Sequence, residues 1–273
     1  MAHWNTAFVT GGGSGIGQCL SRKLLAEGTS VAIFDRSGDA AIADALQPVA
    51  QRAGARCRVF RADVADPAAL RAAVDEAVGE LGPPGLALNC AGIQNAKLFL
   101  ALADAEFERM VMVNLMGSRN FAAAVLPHMK PGGRLALMAS LAGLVPSYSY
   151  SAYNATKFGV VGLAGALRLD CIEQGVEVSV ICPPEIDTPM VVEERKTITA
   201  TGAKLKDTAG SLALEPACDY MLRQLKAGRY EIIPGFRARG VAFMSRLFPG
   251  VFRRISERIV AEGVRKETSH ASS

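Results

Sequence analysis

The sequence predicts an α/β fold organised around one parallel sheet, and three observations support this prediction. Short apolar runs of strand length alternate along the chain with longer segments in which Ala and Leu recur at helical spacing. A glycine-rich turn joins the first strand-like run to the first helical segment. Half of the 273 residues are hydrophobic and only 6% are aromatic, which is typical of a parallel sheet covered by Ala- and Leu-rich helices. This length is enough for one such domain with a full core.

The first predicted strand covers residues 5–10 and runs into the turn TGGGSGIG at 10–17, which opens a helix. A strand, a glycine turn and a helix in this order are the context that a dinucleotide-binding loop requires. Glycines let the backbone approach a pyrophosphate, and the helix N-terminus offers free N–H groups and partial positive charge. This placement favours a ligand-binding loop over a glycine-rich loop without a ligand.

The second predicted strand, SVAIF at 30–34, is followed by Asp35. A carboxylate about 20 residues after the glycines can accept hydrogen bonds from both hydroxyls of an adenosine ribose. It would also repel a 2′-phosphate, so Asp35 favours NAD over NADP. Arg36 follows directly and could pair with a 2′-phosphate, so NADP stays an alternative.

Strand-like and helical segments continue to alternate after Asp35. Further helices are predicted over about 38–53, 67–81, 103–129 and 216–227, and further strands over 56–62, 86–89, 135–140, 176–182 and 229–235. Asn114 lies among apolar residues inside the helix predicted over 103–129. A polar amide in such a setting either caps a local distortion or serves a site.

The residue types of an acid–base site occur between Ser140 and Lys157. Tyr153 and Lys157 are four residues apart, so on a helix they lie one turn apart on the same face. A phenol titrates near ~10, and a nearby ammonium lowers that value, which makes a usable acid or base near physiological pH. Ser140, at the end of a predicted strand, could hold a carbonyl or alcohol oxygen against the phenol. A YxxxK pair alone is common, but Ser140 and the glycine turn favour a site.

Over about residues 5–235, these motifs resemble the short-chain dehydrogenase/reductase family. The family pattern TGxxxGxG stands at 10–17, and its NNAG pattern stands at 89–92 with Cys90 in place of the second Asn. Ser140, Tyr153 and Lys157 follow in the family's order and spacing. The resemblance implies a single Rossmann-like, doubly wound domain with a seven-stranded parallel sheet. It also implies an NAD(P)-dependent oxidoreductase acting on CH–OH or C=O groups.

The resemblance also implies roles for individual residues. Tyr153 is the acid or base, Lys157 lowers its pKa and holds the nicotinamide ribose, Ser140 orients the substrate oxygen, and Asn114 anchors a proton relay through a backbone kink. Asp63 meets the adenine amino group and Val64 packs on the ring. The implied cofactor contacts are Gly11, Gly13, Ser14, Gly15, Ile16, Gly17, Asp35, Arg36, Asp63, Val64, Asn89, Ala91, Gly92, Tyr153, Lys157, Pro183, Ile186 and Thr188.

The chain departs from the family after the sixth predicted strand, where Pro184 replaces the usual Gly. Proline lacks the conformational freedom of glycine. The run PPxxDTP from Pro183 to Pro189 resembles the branch that reduces 3-ketosphinganine-type lipids. That branch normally uses NADPH, and Asp35 disagrees with it.

Two segments set the predicted domain organisation beyond the core. The catalytic domain covers 1–235, and the resemblance implies that its polar stretch at about 190–213 is a mobile lid over the substrate. Residues 236–268 predict amphipathic helices that are rich in Arg and split at Pro249-Gly250. This extension could pack on a second subunit, close the pocket, lie on an anionic membrane or stay solvated. Residues 269–273 are predicted to be disordered.

Composition argues against several other classes of protein. The net charge of +4 is too small to indicate nucleic acid, and no apolar run reaches the ~18 residues of a membrane span. Six cysteines without a CxxC pair indicate free thiols in a reducing compartment, so a cytoplasmic location without a secretory signal is expected. With three histidines, two of them near the ends, neither a metal site nor a Ser–His–Asp hydrolase is expected.

The sequence therefore predicts hydride transfer between NAD(H) and a secondary alcohol or ketone. Leu141, Leu144, Val145, Met190 and the apolar extension favour an apolar substrate such as a lipid, a steroid or a hydroxyacyl compound. An NADPH-dependent reductase of long-chain keto-lipids is the alternative among enzymes, and a non-catalytic NAD(H)-binding sensor or scaffold is the alternative of another class. The family resemblance implies a homodimer or homotetramer.

Overall fold

The computed structural model describes residues 4–196 and 198–271. Residues 1–3 of the predicted catalytic domain, residue 197 of the predicted lid and residues 272–273 of the predicted tail lie outside the described residues. The strands are β1 Thr6–Thr10, β2 Ser30–Asp35, β3 Cys57–Arg61, β4 Leu86–Asn89, β5 Arg134–Met138, β6 Glu177–Ile181, β7 Glu185–Ile186, β8 Ser211–Leu212 and β9 Glu231–Ile232. The α-helices are α1 Gly15–Ala26, α2 Ala40–Arg52, α3 Pro67–Leu81, α4 Asp104–Met110, α5 Gly117–Val125, α6 Ser151–Asp170, α7 Pro189–Glu194, α8 Ala200–Asp207, α9 Leu214–Lys226, α10 Phe236–Leu247 and α11 Pro249–Ala271.

Seven of the described strands form one parallel sheet in the order β3-β2-β1-β4-β5-β6-β9. This confirms the predicted sheet. The chain leaves β1 toward one edge and returns at β4 toward the other, so the strand order reverses between these two neighbours. In doubly wound sheets a crevice opens at this point, beyond the carboxyl ends of the strands. The Gly-rich turn after β1 and the segment after β4 both lie there.

Two apolar layers cover the sheet, one on each face. Along β1, Ala7 and Val9 belong to one cluster of buried side chains and Phe8 belongs to the other, as the alternation of a strand requires. Phe8 meets Phe34 edge to face, and the ring centroids are 5.5 Å apart. Because both faces are covered, the central strands read as continuous apolar runs.

The helix predicted over 103–129 is interrupted at Asn114. A π-helical segment, Val111–Met116, separates α4 from α5, and a 3-10 turn, Leu126–His128, follows α5. A π-turn inserts a residue into the helix and commonly marks a functional position. The amide of Asn114 inside this apolar run was the visible sign of the distortion.

The predicted lid is more regular than its sequence indicated. It contains α7, α8 and strand β8, which pairs with β7. Pro189 occupies the first turn of α7, and the side chain of Thr199 caps α8 by accepting from the Gly202 N–H at 3.0 Å. These local signals are short, so helical periodicity could not reveal them.

The C-terminal extension forms two helices, α10 and α11, which divide at Pro249 as predicted. Helix α11 packs along α8, where Glu267 accepts hydrogen bonds from the backbone N–H and the hydroxyl of Thr201 at 2.7 and 2.9 Å. Helix α11 is described as far as Ala271, and the disorder expected for the tail stays a prediction. None of the helices in the described part of the chain combines the length and the hydrophobicity of a membrane-spanning segment.

Candidate active site and cofactor groove

The groove beyond β1 and β4 is shaped by backbone that leaves no room for side chains. Gly11 has φ +61°, and a Cβ placed on it would lie 2.8 Å from the backbone of Ala91. A Cβ on Gly17 would lie 2.2 Å from the carbonyl oxygen of Gly11. Only glycine permits this close packing of the turn on α1, and the result is an open cradle at the start of the helix. The cradle fits a pyrophosphate.

The structure brings most of the predicted cofactor contacts to the wall of this groove. Those present on the wall are Gly11, Ser14, Gly15, Ile16, Gly17, Asp35, Arg36, Asp63, Val64, Ala91, Gly92 and Thr188. Pro183 and Ile186 line the adjoining pocket with Tyr153 and Lys157. Gly13 lies beside the groove, where its N–H donates to Asp35 at 3.1 Å. Asn89 is buried behind the wall and donates to Ser118 at 2.8 Å, so its position is that of a support.

Asp35 is held in one orientation at the end of β2. One carboxylate oxygen accepts from the Gly13 N–H, and the other accepts from the N–H and hydroxyl of Ser37 at 3.1 and 3.0 Å. Arg36 lines the same groove. Both residues that could distinguish a ribose hydroxyl from a 2′-phosphate therefore lie beside one another.

Asn114 is fully buried, and its side chain joins the segment after β4 to α6. Its amide oxygen accepts from the N–H of Ile93 at 2.8 Å, and its amide nitrogen donates to the Ile93 carbonyl and the Thr156 hydroxyl at 2.9 and 3.1 Å. A Cβ on Gly92 would come within 3.3 Å of this amide and 3.6 Å of the Lys157 ammonium. The π-turn thus positions the Asn114 amide beside Gly92 and Lys157, where its hydrogen bonds connect the segment after β4 to α6.

Ser140, Tyr153 and Lys157 lie together on the wall of the pocket that adjoins the groove. The Lys157 ammonium is buried, donates to the carbonyl of Met138 at 2.9 Å and lies 5.6 Å from the centroid of the Tyr153 ring. The Ser140 hydroxyl accepts from the Ala142 N–H at 3.1 Å. The structure therefore brings together the three residues that the sequence singled out.

The charges around Tyr153 differ from the sequence-based expectation. Burial raises the pKa of Tyr153, while a hydrogen bond with Ser140 and the positive charge of Lys206 lower it. Burial also lowers the pKa of Lys157 to about 8. The sequence predicts that Lys157 lowers the pKa of the phenol. Instead, desolvation dominates for both groups, and the additional positive charge comes from α8.

The pocket has an apolar wall and a polar corner. The predicted residues Leu141, Val145 and Met190 line it, whereas Leu144 lies outside the lining and packs against the core. Helices α10 and α11 contribute Val241 and Phe252. The pocket is therefore closed partly by the C-terminal extension, in agreement with one of the four alternatives for it.

Sequence reasoning missed the charged cluster in the polar corner. Lys206 pairs with Glu185 at 2.7 Å and with Glu194 at 2.8 Å, and the side chains of these carboxylates are only 5% and 1% exposed. Arg195 pairs with Glu185, and Gln94 donates to Glu194 at 2.7 Å. Carboxylates this buried require partners. In the sequence these charges had the appearance of a solvated loop, and no motif marked them.

A sequence model of the short chain dehydrogenases matches residues 5–199. The chain belongs to this family. A 3-dehydrosphinganine reductase of Arabidopsis thaliana is 34% identical over 230 residues, which cover 82% of this chain and 68% of the relative. Oxidoreductase UcpA of Escherichia coli is 33% identical over 188 residues, 68% of this chain and 70% of the relative.

Solved structures agree with this assignment. A short chain dehydrogenase from Burkholderia cenocepacia in complex with NADP is 27% identical, has a TM-score of 0.73 and covers 85% of this chain and 97% of its own. Family, fold and groove together make this short-chain dehydrogenase an NAD(P)-dependent oxidoreductase that acts on a keto or hydroxyl group.

Proposed function

We propose that this enzyme transfers hydride between NAD(H) and the keto or hydroxyl carbon of a long-chain lipid. The observation that carries the proposal is the apolar pocket that has Ser140, Tyr153 and Lys157 on its wall and is closed by Val241 and Phe252 of the C-terminal helices. The relatives named as 3-dehydrosphinganine reductases support a keto-lipid as the substrate.

Tyr153 is the proposed acid or base, because its side chain lines the pocket and its phenol makes a hydrogen bond with Ser140. In reduction the phenol O–H gives its proton to the carbonyl oxygen, and in oxidation the phenolate removes the proton of the alcohol. A bound nicotinamide would supply or accept the hydride at the carbon that carries this oxygen. Ser140 holds the substrate oxygen, and the buried ammonium of Lys157 is a donor for the nicotinamide ribose.

Asn114 is the proposed anchor of the proton relay to Lys157. Its amide is saturated by Ile93 and Thr156, so the side chain fixes the backbone of the π-turn and does not itself transfer a proton. Gly92 lies between this amide and Lys157. These hydrogen bonds of Asn114 therefore keep open the narrow space through which a water molecule could reach Lys157.

We propose NAD(H) as the preferred cofactor, with NADP(H) as the alternative. The carboxylate of Asp35 is fixed by Gly13 and Ser37 at the groove, where a 2′-phosphate would meet a like charge. Arg36 and the NADP complex of the Burkholderia cenocepacia relative favour the alternative.

The experiment is turnover of medium- and long-chain ketones with NADH and with NADPH, followed by nicotinamide absorbance. Turnover with NADH that rises with chain length is expected, and Tyr153→Phe is expected to keep cofactor binding and lose turnover. Turnover with NADPH alone would instead favour the alternative, an NADPH-dependent keto-lipid reductase in which Arg36 selects the cofactor. Cofactor binding without turnover of any ketone would favour a sensor or scaffold, and near-normal turnover by the variant would remove Tyr153 from its role.

The segment 190–213 is the proposed lid, which opens to admit substrate. It is held closed by the ion pair between Lys206 in the lid and Glu185 outside it, while the ion pair of Lys206 with Glu194 lies within the lid. If the ion pairs of Lys206 are removed, the backbone amides of α8 are expected to exchange hydrogen faster. Unchanged exchange in Lys206→Met would argue against this latch.

We propose that the exposed apolar face of α10 and α11 contacts an anionic membrane surface. Its members are Phe236, Phe243, Leu247, Phe248, Val251 and Ile255, each at least half exposed. Neighbouring arginines such as Arg253 and Arg254 suit anionic headgroups. Co-sedimentation with phosphatidylserine vesicles, weakened in Phe243→Ala, is the expected result. Sedimentation that is equally strong with neutral vesicles would contradict the proposed contribution of the arginines.

A homodimer is the proposed minimal assembly, since Met112, Met116, Phe158, Leu169 and Ile172 are exposed apolar residues on or next to α5 and α6. Light scattering after size exclusion measures it directly, and a monomer at micromolar concentration would contradict it.

A further inference from the structure

A buried hydroxyl in the substrate pocket has no partner. Tyr150 is 3% exposed and lines the pocket, yet its phenol oxygen has no hydrogen-bond partner among the described residues. A buried polar group without a partner is unfavourable, and such groups are uncommon in folded proteins. The hydroxyl of Tyr150 is therefore available to form a hydrogen bond with a bound ligand.

The position of Tyr150 relates it to the proposed acid–base group. The rings of Tyr150 and Tyr153 meet edge to face with centroids 6.0 Å apart, and both line the same pocket. A ligand whose reacting oxygen is at Tyr153 would place its next few carbon atoms near Tyr150. The hydroxyl of Tyr150 is thus suited to read a substituent close to the reacting carbon.

The charges around Tyr150 favour an acceptor as its partner. The Lys206 ammonium lies 5.5 Å from the centroid of the Tyr150 ring and is itself held by Glu185 and Glu194. A cation near the ring draws electron density from the phenol and strengthens its O–H as a donor. The Lys206 ammonium lies 2.7 Å from Glu185 and donates to Glu194 at 2.8 Å, which leaves the phenol of Tyr150 as the group that can donate to the ligand.

We propose that Tyr150 is a specificity-determining residue that donates a hydrogen bond to an oxygen-bearing substituent near the keto carbon of the substrate. This inference rests on the proposed function and narrows it, because the preferred lipid is then a hydroxyketone rather than a plain ketone. The apolar wall formed by Val241 and Phe252 takes the chain, and the polar corner takes the substituted end.

The test compares a medium-chain ketone with the hydroxyketone of the same chain length. Calorimetry measures the affinity of each for the full chain loaded with NAD⁺, where a ketone cannot be reduced, and turnover with NADH is measured separately. The wild type is expected to bind the hydroxyketone about fivefold to tenfold more tightly, the effect of one hydrogen bond in a buried site. Tyr150→Phe should remove this preference.

The matched control is Tyr148→Phe, which removes the same hydroxyl from a half-buried neighbour outside the pocket lining and should keep the preference. Thermal unfolding of Tyr150→Phe without ligand provides a second measurement. Because the hydroxyl has no partner, its loss should leave the melting temperature unchanged or raise it. A lower melting temperature would reveal a partner within the protein and overturn the inference.

The outcomes separate this inference from the function beneath it. An unchanged preference in Tyr150→Phe, or no preference in the wild type, would overturn the role of Tyr150 even if both ketones are reduced. Absence of turnover with both NADH and NADPH, together with a preference that Tyr150→Phe abolishes, would retain the subsite and overturn the proposed reaction.

Discussion

Replacing Phe252 by Ala tests whether the C-terminal extension forms part of the substrate pocket. Phe252 is half buried, packs against the core and lines the pocket from α11. Full burial of a Phe side chain stabilises by about 1.5–3 kcal/mol. Because most of the side chain is already covered in the free protein, contact with substrate adds up to about 1 kcal/mol. Phe252→Ala should therefore lower kcat/KM about fivefold for substrates long enough to reach the ring.

The assay is kcat/KM over a series of ketones of increasing chain length, in a buffer without lipid vesicles. The variant should match the wild type on short ketones and fall behind on long ones. Phe243→Ala is the matched control, because Phe243 is 58% exposed on the outer face of α10 and outside the pocket lining. An equal loss at every chain length, or no loss at all, would show that α11 does not contact the lipid chain.

Two further predictions concern the cofactor and the buried lysine. Asp35→Ser should lower the ratio of kcat/KM with NADH to that with NADPH by about tenfold or more, because a charge-assisted hydrogen bond contributes about 1.5–3 kcal/mol. An unchanged ratio would mean that Arg36 selects the cofactor. Lys157→Met should abolish turnover and raise the melting temperature at pH 7, because the lowered pKa of about 8 corresponds to an unfavourable burial of about 3 kcal/mol. The buried charge of Lys157 destabilises the folded wild type fully below pH 8, and this destabilisation disappears as the pH rises toward 10.5, the pKa of the lysine in the unfolded chain. The gain in melting temperature of Lys157→Met should therefore shrink between pH 8 and 10.5. A gain that stays constant over this range would contradict this account.

The sheet and most of its helices were predictable because local patterns determine them. Strand β1 alternates between two apolar layers and still reads as a continuous run, and Pro67 and Leu81 mark the ends of α3 in the sequence as in the structure. The π-turn at Asn114 was visible only as a polar residue in an apolar helix. Its hydrogen-bond partners, Ile93 and Thr156, are distant in sequence, so no local pattern could name them.

The site was predictable as a set of residues, whereas its electrostatics were not. Their spacing predicts that Tyr153 and Lys157 lie on one helical face, but the direction in which each pKa shifts depends on how deeply the groups are buried. A charge relation that counts only the neighbouring ammonium predicts a lowered phenol pKa. Burial, which the sequence does not encode locally, opposes it.

The polar corner shows why function beyond the reaction class escaped the sequence. Glu185, Glu194 and Lys206 come from β7, α7 and α8, and each is unremarkable in its own segment. Only the fold joins them, and once joined they hold α8 over the pocket and place a cation near Tyr150. The motifs predict Ser140, Tyr153 and Lys157 because these residues lie at short, fixed spacings in the sequence. The proposed substrate selection rests on the proposed lid and the extension, where contacts between segments replace spacing within one. Variants such as Tyr150→Phe are therefore needed to test it.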